Sequence, residues 1–247
     1  MSSTVSPTRL SQKAIPLDER LIVALDVSSV DEAKRLVERF GDTVTFYKLG
    51  LQLFMAGGYF ELVKWLRGRG KRVFVDLKFF DVPETVKQAV SQLKQWDASF
   101  ATVHGNDEIL SAAVSEKNGI KILAVTVLTS LDNADLKDLG FECDVPALVL
   151  SRARRALKLG CDGVISSGLE ASGLREELGE NFLIVTPGIR PVINREDADD
   201  QKRTMDVEEA FQSGADHIVM GRPILKAADP LKAAKDIQKR IRRLFEA

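Results

Sequence analysis

Eight short runs rich in Val, Ile and Leu recur along the chain: "RLIVALDV" (20–27), "TVTFYKLG" (43–50), "KRVFVDLK" (71–78), "ASFATVHG" (98–105), "KILAVTVL" (121–128), "DGVISS" (162–167), "NFLIVTPG" (181–188) and "DHIVMGR" (216–222). Most are continuously apolar rather than alternating. An alternating strand has one wet face, whereas a strand apolar throughout is covered on both, as in parallel sheets flanked by helices. The stretches between the runs carry helical spacing. In "SVDEAKRLVERF", Ser29 stands as an N-cap before apolar Ala33, Leu36, Val37 and Phe40. "PETVKQAVSQLKQW" has Pro83 in its first turn and an apolar face at Val86, Ala89, Val90 and Leu93, while "VPALVLSRARRALKLG" stops on Gly160. Strand–helix units repeating every roughly 20–40 residues, eight strands in all, predict an α/β chain folded as a (β/α)8 TIM barrel. The alternative is a doubly wound open sheet, but no G-x-G-x-x-G follows the first run. The polar residues 1–18 are expected to form a flexible N-terminal extension, and 19–247 a single barrel domain.

Several function classes are excluded early. The formal net charge is -1, so the chain lacks the surplus of Lys and Arg that a nucleic acid polymer or an anionic membrane demands. No apolar stretch is long enough to span a bilayer, and the polar N-terminus lacks the apolar block of a signal peptide. Cys143 and Cys161 are the only cysteines and form neither a disulfide framework nor a zinc motif, which points to a reducing, cytoplasmic setting.

Charge appears instead at particular places. Asp26 follows the first strand, Lys48 lies near the end of the second, and "FVDLKFFDVPET" plants Asp76, Lys78 and Asp81 in or just beyond the third. In a barrel these strand ends share one face, the face on which active sites sit. Asp76 and Lys78, two residues apart, are expected on the same side of their strand, with Lys48 adjacent. An ion-pair network that merely staples the barrel mouth is the competing structural reading, but one salt bridge would satisfy the fold. Near the C-terminus, "TPGIRP" follows strand seven and "MGRPI" ends strand eight. Gly188 and Gly221 allow close backbone approach to an anion, and Arg190 and Arg222 supply forks suited to phosphate. Thr129 and Ser130, after strand five, can hydrogen-bond a ring or amide; a helix cap is the plainer alternative. His104 is expected as a supporting polar residue at the site, and His217 as structural. The polar stretch 194–206 reads as a loop placed to cover a site or simply to meet solvent.

Taken together and in order, "ALDV", "YKLG", "FVDLKFFDVPET", "TPGIRP", "DQKR" and "MGRPI" resemble the orotidine 5'-monophosphate decarboxylases over nearly the whole chain from Leu21. The resemblance implies removal of carbon dioxide from C6 of the orotate ring to give UMP, the last step of pyrimidine nucleotide synthesis, with neither metal nor organic cofactor. It implies a catalytic array of Lys48, Asp76, Lys78 and Asp81, and ribose contact by Asp26. It places Thr129 or Ser130 at the pyrimidine, and Gln201 and Arg222, with Arg190 close by, at the phosphate. It further implies a homodimer in which Asp81 and Thr85 reach the neighbouring subunit's site. Two positions depart from the family pattern: Phe80 stands where many bacterial members have His, and Glu84 where Asn is common. Two other readings remain: a Mg²⁺-dependent barrel decarboxylase or aldolase acting on sugar phosphates, and a non-catalytic nucleotide-sensing barrel.

Overall fold

A computed structural model describes residues 9–191 and 203–246. Eight parallel strands close in sequence order, the first pairing with both the second and the eighth. They are β1 (Leu21–Ala24), β2 (Phe46–Gly50), β3 (Arg72–Phe79), β4 (Phe100–Val103), β5 (Lys121–Val125), β6 (Gly163–Ile165), β7 (Leu183–Thr186) and β8 (His217–Met220). The helices between and after them are α1 (Val30–Phe40), α2 (Leu51–Met55), α3 (Tyr59–Arg67), α4 (Pro83–Leu93), α5 (Asp107–Ser115), α6 (Asn133–Asp138), α7 (Val145–Lys158), α8 (Gly168–Leu178), α9 (Val207–Gln212), α10 (Arg222–Leu225) and α11 (Pro230–Phe245). The architecture is thus the (β/α)8 barrel that the apolar runs predict. Ser29 caps α1 by accepting from the Glu32 amide, and Pro83 opens α4, where its missing N–H would have had no intrahelical partner.

The continuous apolar runs now have their physical explanation. Successive side chains point to opposite faces of a strand. One phase, including Ile22, Phe46, Phe74, Phe100, Leu123, Val185 and Val219, fills the barrel interior. The other, including Leu21, Val23, Tyr47, Val73, Val75 and Ile184, packs beneath the helices in the larger core. Phe46 and Phe100 meet edge to face with centroids 5.0 Å apart, and Phe100 meets Phe74 at 5.9 Å, plugging the interior beneath the mouth. The strands are shorter than the runs. Val125 ends β5, while the buried Val127 continues the apolar stretch into the loop above it.

The opposite, N-terminal end holds a dense ionic network. Asp216 is fully buried and accepts from Arg175 Nη2 at 2.7 Å, Lys13 Nζ at 3.0 Å, the Ile184 amide at 2.8 Å and the Ser11 hydroxyl. Arg175, also fully buried, donates to the carbonyls of Gly214 and Phe182. The described part of the N-terminal segment, from Arg9 on, is tied down at this network, because Ser11 and Lys13 bring donors to a carboxylate that burial would otherwise penalise. His217, two residues below the inward-facing Val219, stands edge-on to Phe46 and Phe100, and its Nδ1 meets the Glu19 carbonyl at 2.9 Å. Burial holds its pKa down at about 4, a neutral structural histidine as expected.

Candidate active site

The alternation that fills the barrel also builds the site. Continuing the interior phase upward, Lys48 comes two residues after Phe46, Asp76 two after Phe74 and Thr102 two after Phe100, so all three point inward; Lys48 and Asp76 line the mouth, and Thr102 is buried against Asp76. They form one connected array. Lys48 Nζ lies 3.2 Å from Asp26 Oδ1 and 3.3 Å from Asp76 Oδ2, while Lys78 Nζ donates to Asp76 Oδ1 at 2.9 Å. The order Asp26–Lys48–Asp76–Lys78 alternates in sign. Gly50 and Gly221 leave it room: a Cβ on the first would come within 3.1 Å of Lys48 Nζ, and on the second within 3.2 Å of Asp26 Oδ2.

Burial acts to raise the Asp76 carboxyl pKa, but Lys48, Lys78 and the hydrogen bonds from Lys78 and Thr102 outweigh it and hold the group below its usual value. Burial likewise acts to lower the Lys48 pKa, and Asp76 and Asp26 reverse that effect. Both groups are therefore charged. The exposure is graded: the side chains of Lys48 and Asp76 are 12% and 11% exposed, that of Lys78 36%. The two ends of the array open into the cleft, Asp26 with a side chain 48% exposed and Lys78, and Lys78 is the cation of the pair.

Lys78 does not arrive there by simple alternation. Val75 pairs with Ala101 and Phe79 with Val103, so four steps along β3 match two along β4. The excess forms a bulge that includes Asp76, Leu77 and Lys78, and Lys78 takes a left-handed backbone with φ of 49°. A bulged residue loses its ladder partner. The Lys78 amide finds a substitute in Thr102 Oγ1 at 2.9 Å, and the same hydroxyl donates to Asp76 Oδ1 at 2.9 Å. Thr102 is fully buried.

Thr129 and Ser130 line the facing wall of the cleft, and Gly188, Arg190, Gly221 and Arg222 line one end of it. Arg190 is buried, and its backbone joins Met205 through N–H donation at 2.9 Å. Gln201 lies outside the described residues, as does most of the 194–206 loop. The described end of that segment is structural: Asp206 caps α9, and Arg203 donates to Glu170 Oε1 at 2.6 Å and to the carbonyls of Val127 and Leu128 at 3.1 and 2.9 Å. Met205 thus braces the arginine end of the cleft while Arg203 braces the Thr129 wall.

Asp81 and Thr85 are exposed and stand outside this chain's own cleft, on the rim. Asp81 Oδ1 accepts from the Val82 amide at 2.7 Å. His104 departs from expectation. β4 stops at Val103, so the interior phase does not carry on to His104. Its Nδ1 instead faces the Val125 carbonyl at 3.3 Å, its ring meets Phe80 edge-on at 5.3 Å, and it borders a neighbouring groove rather than the cleft. Thr102 and Arg203 carry roles that sequence reasoning did not assign. The phase of Phe100 gives the inward direction of Thr102 but not its partners across the bulge. Arg203 sits within "DQKR", but its partners are distant in sequence.

A closed parallel barrel with an alternating Lys/Asp array at the C-terminal ends of its strands has the layout of a barrel enzyme, whose active site lies on that face. The profile of the Orotidine 5'-phosphate decarboxylase / HUMPS family matches residues 19–237, and the chain belongs to that family. It is 61% identical to the orotidine 5'-phosphate decarboxylase of Methylococcus capsulatus, covering 98% of this chain and 99% of the relative, and 48% identical to that of Xanthomonas euvesicatoria, covering 94% and 97%. Among solved structures, the orotidine 5'-phosphate decarboxylase of Lactobacillus acidophilus superposes with a TM-score of 0.78 at 33% identity, covering 93% of this chain and all of that one. An uncharacterised conserved protein of Geobacillus kaustophilus superposes with a TM-score of 0.74 at 33% identity, covering 89% and 98%.

Proposed function

We propose that the protein decarboxylates orotidine 5'-monophosphate to UMP, the last step of de novo pyrimidine synthesis, through a C6 carbanion stabilised and protonated without a cofactor. The family makes it a decarboxylase, a carboxy-lyase. The observation that carries the mechanism is the alternating Asp26–Lys48–Asp76–Lys78 array, with its terminal ammonium opening into the cleft.

Loss of the carboxylate leaves a localised negative charge on the ring. A cation already fixed in place stabilises that charge as it forms, with little reorganisation during the reaction. Lys78 supplies it, then protonates C6 as general acid. Asp76 keeps Lys78 oriented, and Lys48 balances Asp76 from the far side. Asp76 also lies beside the substrate carboxylate, whose repulsion favours departure of carbon dioxide. Fixed stabilisation by Lys78 is the larger effect in this reading. Asp26 receives the ribose and Thr129 and Ser130 the pyrimidine edge. Gly188, Arg190, Gly221 and Arg222 hold the phosphate, joined by Gln201. Binding energy from that remote phosphate fixes the ring against the array.

The working unit is a homodimer in which Asp81 and Thr85 complete the neighbour's site. Support comes from their exposed rim position and from the apolar surface beside them, where Phe80 and Val82 are 67% and 63% exposed. The free thiols of Cys143 and Cys161 fit a cytoplasmic protein, and no described helix is long and apolar enough to cross a membrane.

A spectrophotometric assay with orotidine monophosphate tests the reading. Turnover is expected, undiminished by excess EDTA. No turnover, or its loss with chelator, overturns the proposed chemistry. Mixing inactive Lys78→Ala and Asp81→Ala subunits with random exchange is expected to restore roughly a quarter of the sites, one in each mixed two-fold dimer. Absence of recovery after verified exchange places Asp81 in its own chain's site.

A further inference from the structure

Thr102 stands where one residue of β4 faces the extra residues of the β3 bulge, between the pairs Val75↔Ala101 and Phe79↔Val103. The bulge creates two needs at once. The Lys78 amide has lost its strand partner, and the Asp76 carboxylate must be held so that one oxygen meets Lys48 and the other Lys78. A hydroxyl can serve both, since it has one proton to donate and lone pairs to accept. Thr102 does so at 2.9 Å on each side, and because the carboxylate can only accept, the direction of both bonds is fixed. The backbone that aims Lys78 and the carboxylate that orients it are therefore clamped by a single atom. Beneath the clamp, Phe100 and Phe74 meet edge to face, leaving the Thr102 strand position little freedom.

We infer that Thr102 is a positioning residue of the catalytic array, setting the geometry of Lys78 through its left-handed backbone and of Asp76 through its carboxylate. The inference rests on the reading of Lys78 and Asp76 given above. Thr102 itself touches no part of the cleft and acts only through these two residues. Removing its hydroxyl leaves the ribose, ring and phosphate contacts in place while loosening the ammonium that meets the reacting carbon. Such a loss falls on kcat and spares binding.

The test compares Thr102→Val, which keeps the shape and deletes the hydroxyl, with Thr102→Ser, which restores it. The measurements are kcat, KM and UMP affinity with orotidine monophosphate as substrate. Thr102→Val is expected to lose about 30- to 100-fold in kcat with UMP affinity within about twofold, and Thr102→Ser to stay within about threefold of the wild type. Should Thr102→Val fail to fold, Thr102→Ala is read in the same way against Thr102→Ser. The inference is overturned if the hydroxyl-free variant keeps kcat within threefold, if the serine variant falls as far as the valine one, or if kcat and UMP affinity fall together. Lys78→Ala in the same assay separates two failures. If it turns over normally, the reading of the array is wrong. If it is inactive while Thr102→Val is fully active, only the role of Thr102 is wrong.

Discussion

The barrel carries a buried carboxylate between cations at each end, and the two differ in how they are finished. At the N-terminal end, Asp216 and Arg175 are both fully buried, and strand amides, loop carbonyls, Ser11 and Lys13 supply further partners. At the mouth, Asp76 is as well satisfied, by Lys48, Lys78 and Thr102, but Lys78 ends the array and remains open to the cleft on a left-handed backbone. The first arrangement closes on itself and can only hold the fold together. The second leaves a charged donor directed into the cleft. Two ionic clusters of similar composition thus have different uses, and the unspent donor distinguishes them.

The contrast is most severely tested by Lys78→Ala. Turnover of orotidine monophosphate is expected to fall on the order of 10⁴-fold or more, since electrostatic and acid functions are lost together. The thermal midpoint should stay within about 4 °C, because Lys48 and Thr102 still serve Asp76. A well-folded variant with substantial activity would erase the distinction. Asp216→Ala is the mirror experiment. It removes the buried carboxylate opposite Arg175, leaving that guanidinium Glu180 and loop carbonyls, and is expected to destabilise the fold by about 3 kcal/mol in denaturant titration, while the folded fraction keeps its kcat and KM.

A smaller effect concerns acid. His217 is neutral in the fold, with a pKa held down to about 4 against an ordinary 6.5. The unfolded chain binds a proton there that the folded one refuses, so the stabilisation is complete above pH 6.5 and is lost as pH falls towards about 4. His217→Gln should therefore flatten the dependence of the thermal midpoint on pH within that window. An unchanged slope assigns the acid response elsewhere. The smallest effect is Ser11→Ala, which removes one donor from a carboxylate that keeps several others. A loss of about 2 kcal/mol in denaturant titration, with unchanged kinetics, is expected. No loss would mean that Lys13 and the other contacts of the N-terminal segment hold it without the Ser11 hydroxyl.

The barrel was legible because burial on both faces writes strands as unbroken apolar runs, and Ser29 and Pro83 marked helix starts by chemistry local to them. The positions of Lys48 and Asp76 were legible for a related reason: each is a charge set in the interior phase of a strand. Lys78 was found, but not its geometry. A bulge belongs to the pairing of two strands, and nothing in "VDLK" alone states that β4 advances two residues while β3 advances four. Thr102 and Arg203 escaped for the same reason, as their partners lie 24 to 76 residues away. His104 misled because strand phase was extended past the point where the strand stops. Ser11 and Lys13 looked like solvent-facing residues because their one important partner, Asp216, is more than two hundred positions distant.

The φ of 49° at Lys78 has a consequence for anyone seeking a hardier version of this protein. Glycine and asparagine enter that backbone region more readily than lysine does. A selection that scored only resistance to heat would favour them at position 78, and neither bears a cation. The sturdiest occupant of the position and the one the proposed chemistry needs are different amino acids, so a library ranked by melting temperature would discard that cation at the very residue where it improved the scaffold.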